Sequence, residues 1–150
     1  MRYFFLLLFY TCLFVCHSQS YWIYQEAEEY YEGTNDREQS YEKAFVLYQK
    51  AADMGNPLAE YKMAICYMHG YGVKQSDKNA LLYAKRAAKQ GNADAQALLG
   101  FYYYFGVGCQ RSYRKSTYWD FKAADQGNKT AIYNLQQLGL YRKISYVMDN

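Results

Sequence analysis

The sequence predicts an all-α protein, an α/α superhelical solenoid built from helical hairpins, on three observations. Residues recur in register at a 36-residue offset, small residues recur along single helical faces, and glycine-rich turns punctuate the chain at matching places. Ala51-Ala52 falls on Ala87-Ala88 and then on Ala123-Ala124. Gly55-Asn56 falls on Gly91-Asn92 and Gly127-Asn128; Ala59 meets Ala95 and Ala131; Met63 meets Leu99 and Leu135; Tyr67 meets Tyr103. Gly70 and Gly72 fall on Gly106 and Gly108.

Taken in order, the chain opens with a secretory signal over residues 1–20. Arg2 supplies the positive start, Tyr3 to Val15 is apolar, and Cys16-His17-Ser18-Gln19-Ser20 offers small residues for cleavage after Ser18 or Ser20. An apolar run of about 13 residues is too short for a spanning helix, so the expected product is secreted or periplasmic, without stable membrane insertion. Val15 is bulky where lipidation of Cys16 wants a small residue, which favours cleavage over a lipid anchor.

The solenoid then covers 21–140, with repeats at about 21–56, 57–92 and 93–128, an end helix at 129–140 and a tail at 141–150. The first repeat is degenerate, with helices at 21–32 and 40–53. Gly33-Thr34-Asn35-Asp36-Arg37 stands in place of the double-glycine turn. The acidic residues Glu26, Glu28, Glu29 and Glu32 read as the solvated side of a terminal helix.

In the second repeat, Ala59, Met63 and Tyr67 lie at i, i+4, i+8 on one face of a helix over 57–69. Gly70-Tyr71-Gly72 stops it, and Asp77 is placed to cap the helix over 77–90. Ala80, Tyr83, Ala84, Ala87 and Ala88 give that helix a flat face that a neighbour can approach closely. Gly91 and Asn92 form a left-handed stop followed by an N-cap, as do Gly55-Asn56, with Pro57 at the first helical position, and Gly127-Asn128. The third repeat supplies helices at 93–105 and 113–126.

The carrying segments are Ala59 to Val73 with Ala80 to Gly91, and Ala95 to Gly108 with Trp119 to Gly127. Their pattern resembles the Sel-1-like repeat family, relatives of tetratricopeptide repeats with a longer loop in each hairpin. Ala64 stands where the family usually has glycine, Cys109 replaces the loop valine and Ser116 replaces alanine. The resemblance implies a protein-interaction scaffold, often exported or in the bacterial envelope, that binds through its concave surface. Small members act as immunity-type factors against toxic enzymes, so a toxin or envelope protein is the implied partner. A cysteine-rich branch is linked to β-lactam- or cell-wall-active hydrolysis and is the alternative. Its regular cysteine pairs are missing here, because Ala52, Ala88 and Ala124 hold the relevant positions.

The residues themselves argue against chemistry. His69 is the one histidine after the signal, leaving no parts for a Ser–His–Asp or Cys–His arrangement, and no His/Cys cluster has metal-ligand spacing. No catalytic residue, metal or cofactor is expected. A formal charge of +3 carries no clustered basic stripe for nucleic acid. Lys85, Arg86, Lys89, Arg111, Arg114, Lys115 and Lys122 read as a scattered, solvated exterior, and Cys66 and Cys109 as two separate small hydrophobes. Asn128-Lys129-Thr130 is a formal glycosylation sequon.

The 20 tyrosines are the unusual component, suited to surfaces that pack yet stay partly wet. The first helix of each hairpin has a second apolar stripe beside its packing face: Leu58, Tyr61, Ile65 and Met68, then Ala97, Phe101, Tyr104 and Phe105, and Tyr133 in the end helix. By the resemblance these positions, with Trp22, line a partner-binding trough of Trp22, Tyr61, Ile65, Met68, Phe101, Tyr104, Phe105 and Tyr133; the alternative is that the rings pack between successive repeats, which the sequence leaves open for Ile65 and Phe101. The expected molecule is a monomer that binds another protein there.

Overall fold

The computed structural model describes residues 18–140, and every regular element among them is α-helical. In order these are α1 (18–32), α2 (Tyr41–Asp53), α3 (Pro57–His69), α4 (Asp77–Lys89), α5 (Ala93–Phe105), α6 (Tyr113–Ala124) and α7 (Lys129–Gln137). Residues 1–17, where a signal is expected, and the tail 141–150 lie outside the described residues. Residues 18–20 form the start of α1, with Ser20 buried.

The recurring Gly-Asn steps act as the spacing predicts. Gly55, Gly91 and Gly127 have φ of 82°, 93° and 80°, a left-handed conformation that costs a residue with a Cβ. Each following asparagine donates its backbone N–H to the first alanine of the Ala-Ala pair: Asn56 to Ala51, Asn92 to Ala87 and Asn128 to Ala123, at 3.0–3.1 Å. Its side chain then caps the next helix. Asn56 Oδ1 accepts from the N–H groups of Leu58 and Ala59 at 2.9 and 3.1 Å, Asn92 Oδ1 from Ala95 at 2.7 Å, and Asn128 Oδ1 from Ala131 at 3.0 Å. One dipeptide thus closes one helix and opens another.

Several helix ends differ from the sequence reading, among them the described start of α1, at 18 rather than 21. Asp77 does not precede α4 as its cap; it is the first helical residue, where its charge still favours the helix N-terminus. The last helices stop at Ala124 and Gln137, short of 126 and 140, because Gly127 and Gly139 have already turned the chain to positive φ.

Two compact units divide the chain between Ser76 and Asp77. In the first, α2 packs along α3, and Ala27, Ala44, Ala51, Ala59 and Ala64 surround the larger Tyr48 and Met63 in a fully buried core. Gly72 closes this unit: a Cβ on it would collide with the Tyr41 carbonyl. The acidic run is not a solvated face. Arg37 pairs with Glu26 at 3.0 Å and Glu29 at 2.9 Å, while Glu28 receives Lys62 Nζ at 2.8 Å and the Tyr48 hydroxyl. Glu32 alone of the four is exposed.

In the second unit α5 packs against α4 and α6, and α6 against α7. Ala97, expected on the open stripe, is instead buried with Ala123, Ala124, Ala131 and Leu135, since its small side chain lets the helices meet. Of the basic residues, Arg86, Lys89, Arg111, Arg114, Lys115 and Lys122 are exposed as expected, and Lys85 is half-buried. Lys85 and Lys115 both lie over the Tyr103 ring, at 5.8 and 5.2 Å, and Lys122 lies over Tyr118 and Trp119.

Candidate functional site

The expected binding residues separate by unit. In the first, Trp22 is 71% exposed on α1, while Tyr61, Ile65 and Met68 are half-buried on α3. In the second, Phe101 and Phe105 are 42% and 60% exposed on α5 with Tyr104 half-buried between them, and Tyr133 is 60% exposed on α7. The α5 rings touch, Phe101 to Phe105 at 4.7 Å and Tyr104 to Phe105 at 4.9 Å between centroids. A fourth ring, Tyr113, meets Tyr104 edge-on at 5.2 Å.

Phe101, Tyr104 and Phe105 form one wall of a cleft of about 210 Å3. Gly100, Ser116 and Asp120 also line it, and Asn134 and Gln137 of α7 with its C-cap Leu138 complete the lining. Tyr133 is not part of it. A second depression of about 440 Å3, in the first unit, is lined by Glu26, Tyr30, Glu42, Lys43, Val46 and Leu47. None of the expected residues reaches that one.

The polar lining of the α5–α7 cleft escaped the sequence reading. Asp120 is 2% exposed, on the face of α6 that elsewhere carries Ala123 and Ala124. Gly100 makes room for it, because a Cβ at Gly100 would stand 2.5 Å from Asp120 Oδ1. Asn134 Nδ2 donates to Oδ1 at 3.4 Å, and the buried Ser116 hydroxyl, one turn away, has no partner at full hydrogen-bond geometry. Burial pushes the Asp120 carboxyl up to about 6, and the Asn134 and Ser116 groups offset only part of that rise. The signal was available in the 36-residue register, where Asp120 occupies the position of Tyr48 and Ala84. An acid on a face otherwise made of small and aromatic residues marks a site or a buried partner.

Reactive groups are sparse elsewhere. His69 is exposed and stacks on Tyr71 at 5.2 Å. Cys66 and Cys109 are free thiols, and burial pushes Cys66 up to about 12, away from nucleophilic behaviour. Among the described residues no group of three His, Cys, Asp or Glu side chains could hold a metal. No helix among them is long and apolar enough to cross a membrane. The Asn128 sequon amide is engaged, donating to Asp94 Oδ1 at 2.7 Å.

The family model described as Sel1 repeat matches three times, over residues 24–56, 57–92 and 93–128. Similar solved structures include a protective antigen of uropathogenic Escherichia coli strains displaying an SLR fold, at 32% identity and a TM-score of 0.74. That match covers 80% of this chain and 25% of the other. A Sel1 repeat protein from Oxalobacter formigenes matches at 26% identity and a TM-score of 0.71, over 75% of this chain and 46% of that one. Cysteine rich protein B of Helicobacter pylori, at 22% identity and a TM-score of 0.63 over 68% and 76% of the two chains, shares the fold. This chain therefore spans less than half the length of the first two. No curated protein matches the sequence significantly.

Proposed function

The chain belongs to the Sel1 repeat family, whose members are in general protein-interaction scaffolds, and on that premise we propose that it is an exported monomer that grips a partner protein through the aromatic faces of its first-in-hairpin helices. The observation that carries this reading is the set of large rings left open in a fold whose core is built largely from alanine. Phe101 and Phe105 on α5, Tyr133 on α7 and Trp22 on α1 are all exposed. Aromatic side chains lose little rotamer freedom on binding and supply most of the energy at interface hot spots. Export rests on Arg2, the apolar run Tyr3 to Val15 and the small residues Ser18 and Ser20.

The finer form of the proposal is an inhibitor that neutralises a toxic enzyme in the envelope. A toxin gene beside this one, whose product the purified protein inhibits, supports it; an isolated gene counts against it.

Affinity capture from the protein's own cells tests the main reading. The wild-type chain retains a partner, and Tyr61→Ala with Tyr104→Ala releases it while helical content by circular dichroism stays unchanged. Unfolding of that double variant would mean the two rings are core, and undiminished capture would mean the partner docks elsewhere. Residue-level analysis of the exported product places its N-terminus at residue 19 or 21; recovery of the full chain from the cytoplasm sinks the export claim.

A further inference from the structure

We propose that the cleft between α5, α6 and α7 receives a basic side chain, lysine or arginine, from the partner polypeptide, with Asp120 as its counter-charge. The inference rests on the scaffold reading and adds the chemistry of what is bound. Its ground is a comparison the molecule makes with itself. Two repeats apart, at a 72-residue offset, Glu28 corresponds to Gly100, Tyr48 to Asp120 and Lys62 to Asn134.

In the first unit these positions hold a closed polar cluster. The Glu28 carboxylate accepts from the Tyr48 hydroxyl and from Lys62 Nζ, which also lies 4.9 Å from the Tyr31 ring. In the second unit the carboxylate is moved to the opposite helix: Asp120 extends from α6 into the space that Gly100 leaves on α5. The place of the lysine is taken by Asn134, a neutral amide at 3.4 Å. The cluster thus keeps its acid and loses its cation, and the cleft opens where that cation would stand.

The rest of the lining suits a cation. Phe101, Tyr104 and Phe105 line the cleft where aromatic rings can take a methylene stem and its charge, as the Tyr31 ring takes Lys62. The Ser116 hydroxyl adds an acceptor on the cleft floor. A buried carboxylate without a cationic partner is costly, and an incoming ammonium or guanidinium relieves that cost while an apolar side chain does not. A free anion is repelled.

The test uses the purified protein and three acetylated, amidated pentapeptides, Gly-Gly-X-Gly-Gly, with X lysine, arginine or norleucine. Binding is followed by the NMR signals of the Asp120 carboxyl carbon and the Asn134 side-chain amide. The basic peptides are expected to bind about tenfold more tightly than the norleucine peptide. Asp120→Asn should remove that preference, and Phe105→Ala, an exposed position, should weaken both basic peptides without affecting the fold. Equal binding of lysine and norleucine peptides, or shifts confined to other residues, overturns the proposal. So does a wild-type cleft that binds no peptide until Arg142→Ala and Lys143→Ala are introduced, because the occupant is then this chain's own tail. In capture experiments Asp120→Asn should weaken a retained partner about tenfold. Undiminished retention rejects the cleft and leaves the scaffold reading standing; absence of any partner rejects the scaffold reading, and the peptides still decide the cleft.

Discussion

Gly100 and Asp120 meet across α5 and α6 so closely that the absence of one side chain makes room for the other: a Cβ on Gly100 would lie 2.5 Å from Oδ1 and 2.9 Å from the carboxyl carbon. Glycine inside a helix ordinarily costs about 0.5–1 kcal/mol relative to alanine, so Gly100→Ala should stabilise α5 on propensity alone. The collision opposes this gain, because the Asp120 carboxyl must give up the space it fills and its Asn134 bond to admit the Cβ. Gly100→Ala is expected to destabilise the protein by about 1–2 kcal/mol in urea unfolding. Gly100→Ala combined with Asp120→Ala reproduces the residue pair that the preceding repeat carries at Ala64 and Ala84. The double variant should recover most of the loss, and simple additivity of the two changes would refute the steric account.

Asp120 also sets a pH dependence. Its carboxyl titrates at about 6 in the folded chain against 3.8 for the free group. The folded state therefore binds more protons than the unfolded state between these values. Its contribution to stability is greatest below about pH 4, falls as pH rises toward about 6 and stays lower above it, by about 3 kcal/mol at most. The measurement is the difference in unfolding free energy between wild type and Asp120→Asn from pH 4 to pH 8. Wild type should lose ground to the variant as pH rises; a flat difference would show that Asp120 is not buried in solution.

The three asparagine caps are expected to differ in worth. Asn56 is 4% exposed and accepts two backbone N–H bonds, whereas Asn92 and Asn128 are half-buried and each accept one. Asn92→Ala should cost about 1 kcal/mol and Asn56→Ala about 2 kcal/mol, since the latter strands two donors, the Ala59 N–H among them buried. Denaturation midpoints at constant m-value measure both. Equal losses would mean that burial of the cap adds nothing.

How much of this was legible follows from what repeats and what does not. The helices, their Gly-Asn junctions and the Ala-Ala faces were readable because each is a local backbone requirement stated three times, so the 36-residue register acts as its own control. Tyr133, expected on the surface, is exposed, and so is Phe101, which the sequence leaves open between packing and exposure. Ala97 and the acidic run were misread for one reason. A helical wheel shows which residues share a face, but not what a neighbouring helix brings to it. Glu28 looked solvated until Tyr48 and Lys62 arrived from α2 and α3. Asp120 breaks the repeat, so the agreement between copies that makes other positions legible says nothing of it. Departures at Gly100, Asp120 and Asn134 are individually ordinary; only the fold brings them to one cleft.

The two thiols give a final separation between packing and exposure. Cys66 is 1% exposed, and burial, with Glu28 adding to it and Lys62 opposing it, pushes the thiol up to about 12. At pH 8 less than one part in a thousand is then the reactive thiolate, by about four units of deficit. Cys109 is only half-buried, with its Sγ 3.6 Å from the Tyr102 carbonyl oxygen. Iodoacetamide applied to the folded protein at pH 8 should therefore modify Cys109 and spare Cys66, as read by mass spectrometry of the digested product. Adding urea past the unfolding midpoint should bring both to full labelling. Rapid labelling of Cys66 in native buffer would mean that the Tyr48, Met63 and Cys66 packing opens readily, and with it the closed Glu28 cluster against which the Asp120 cleft was compared.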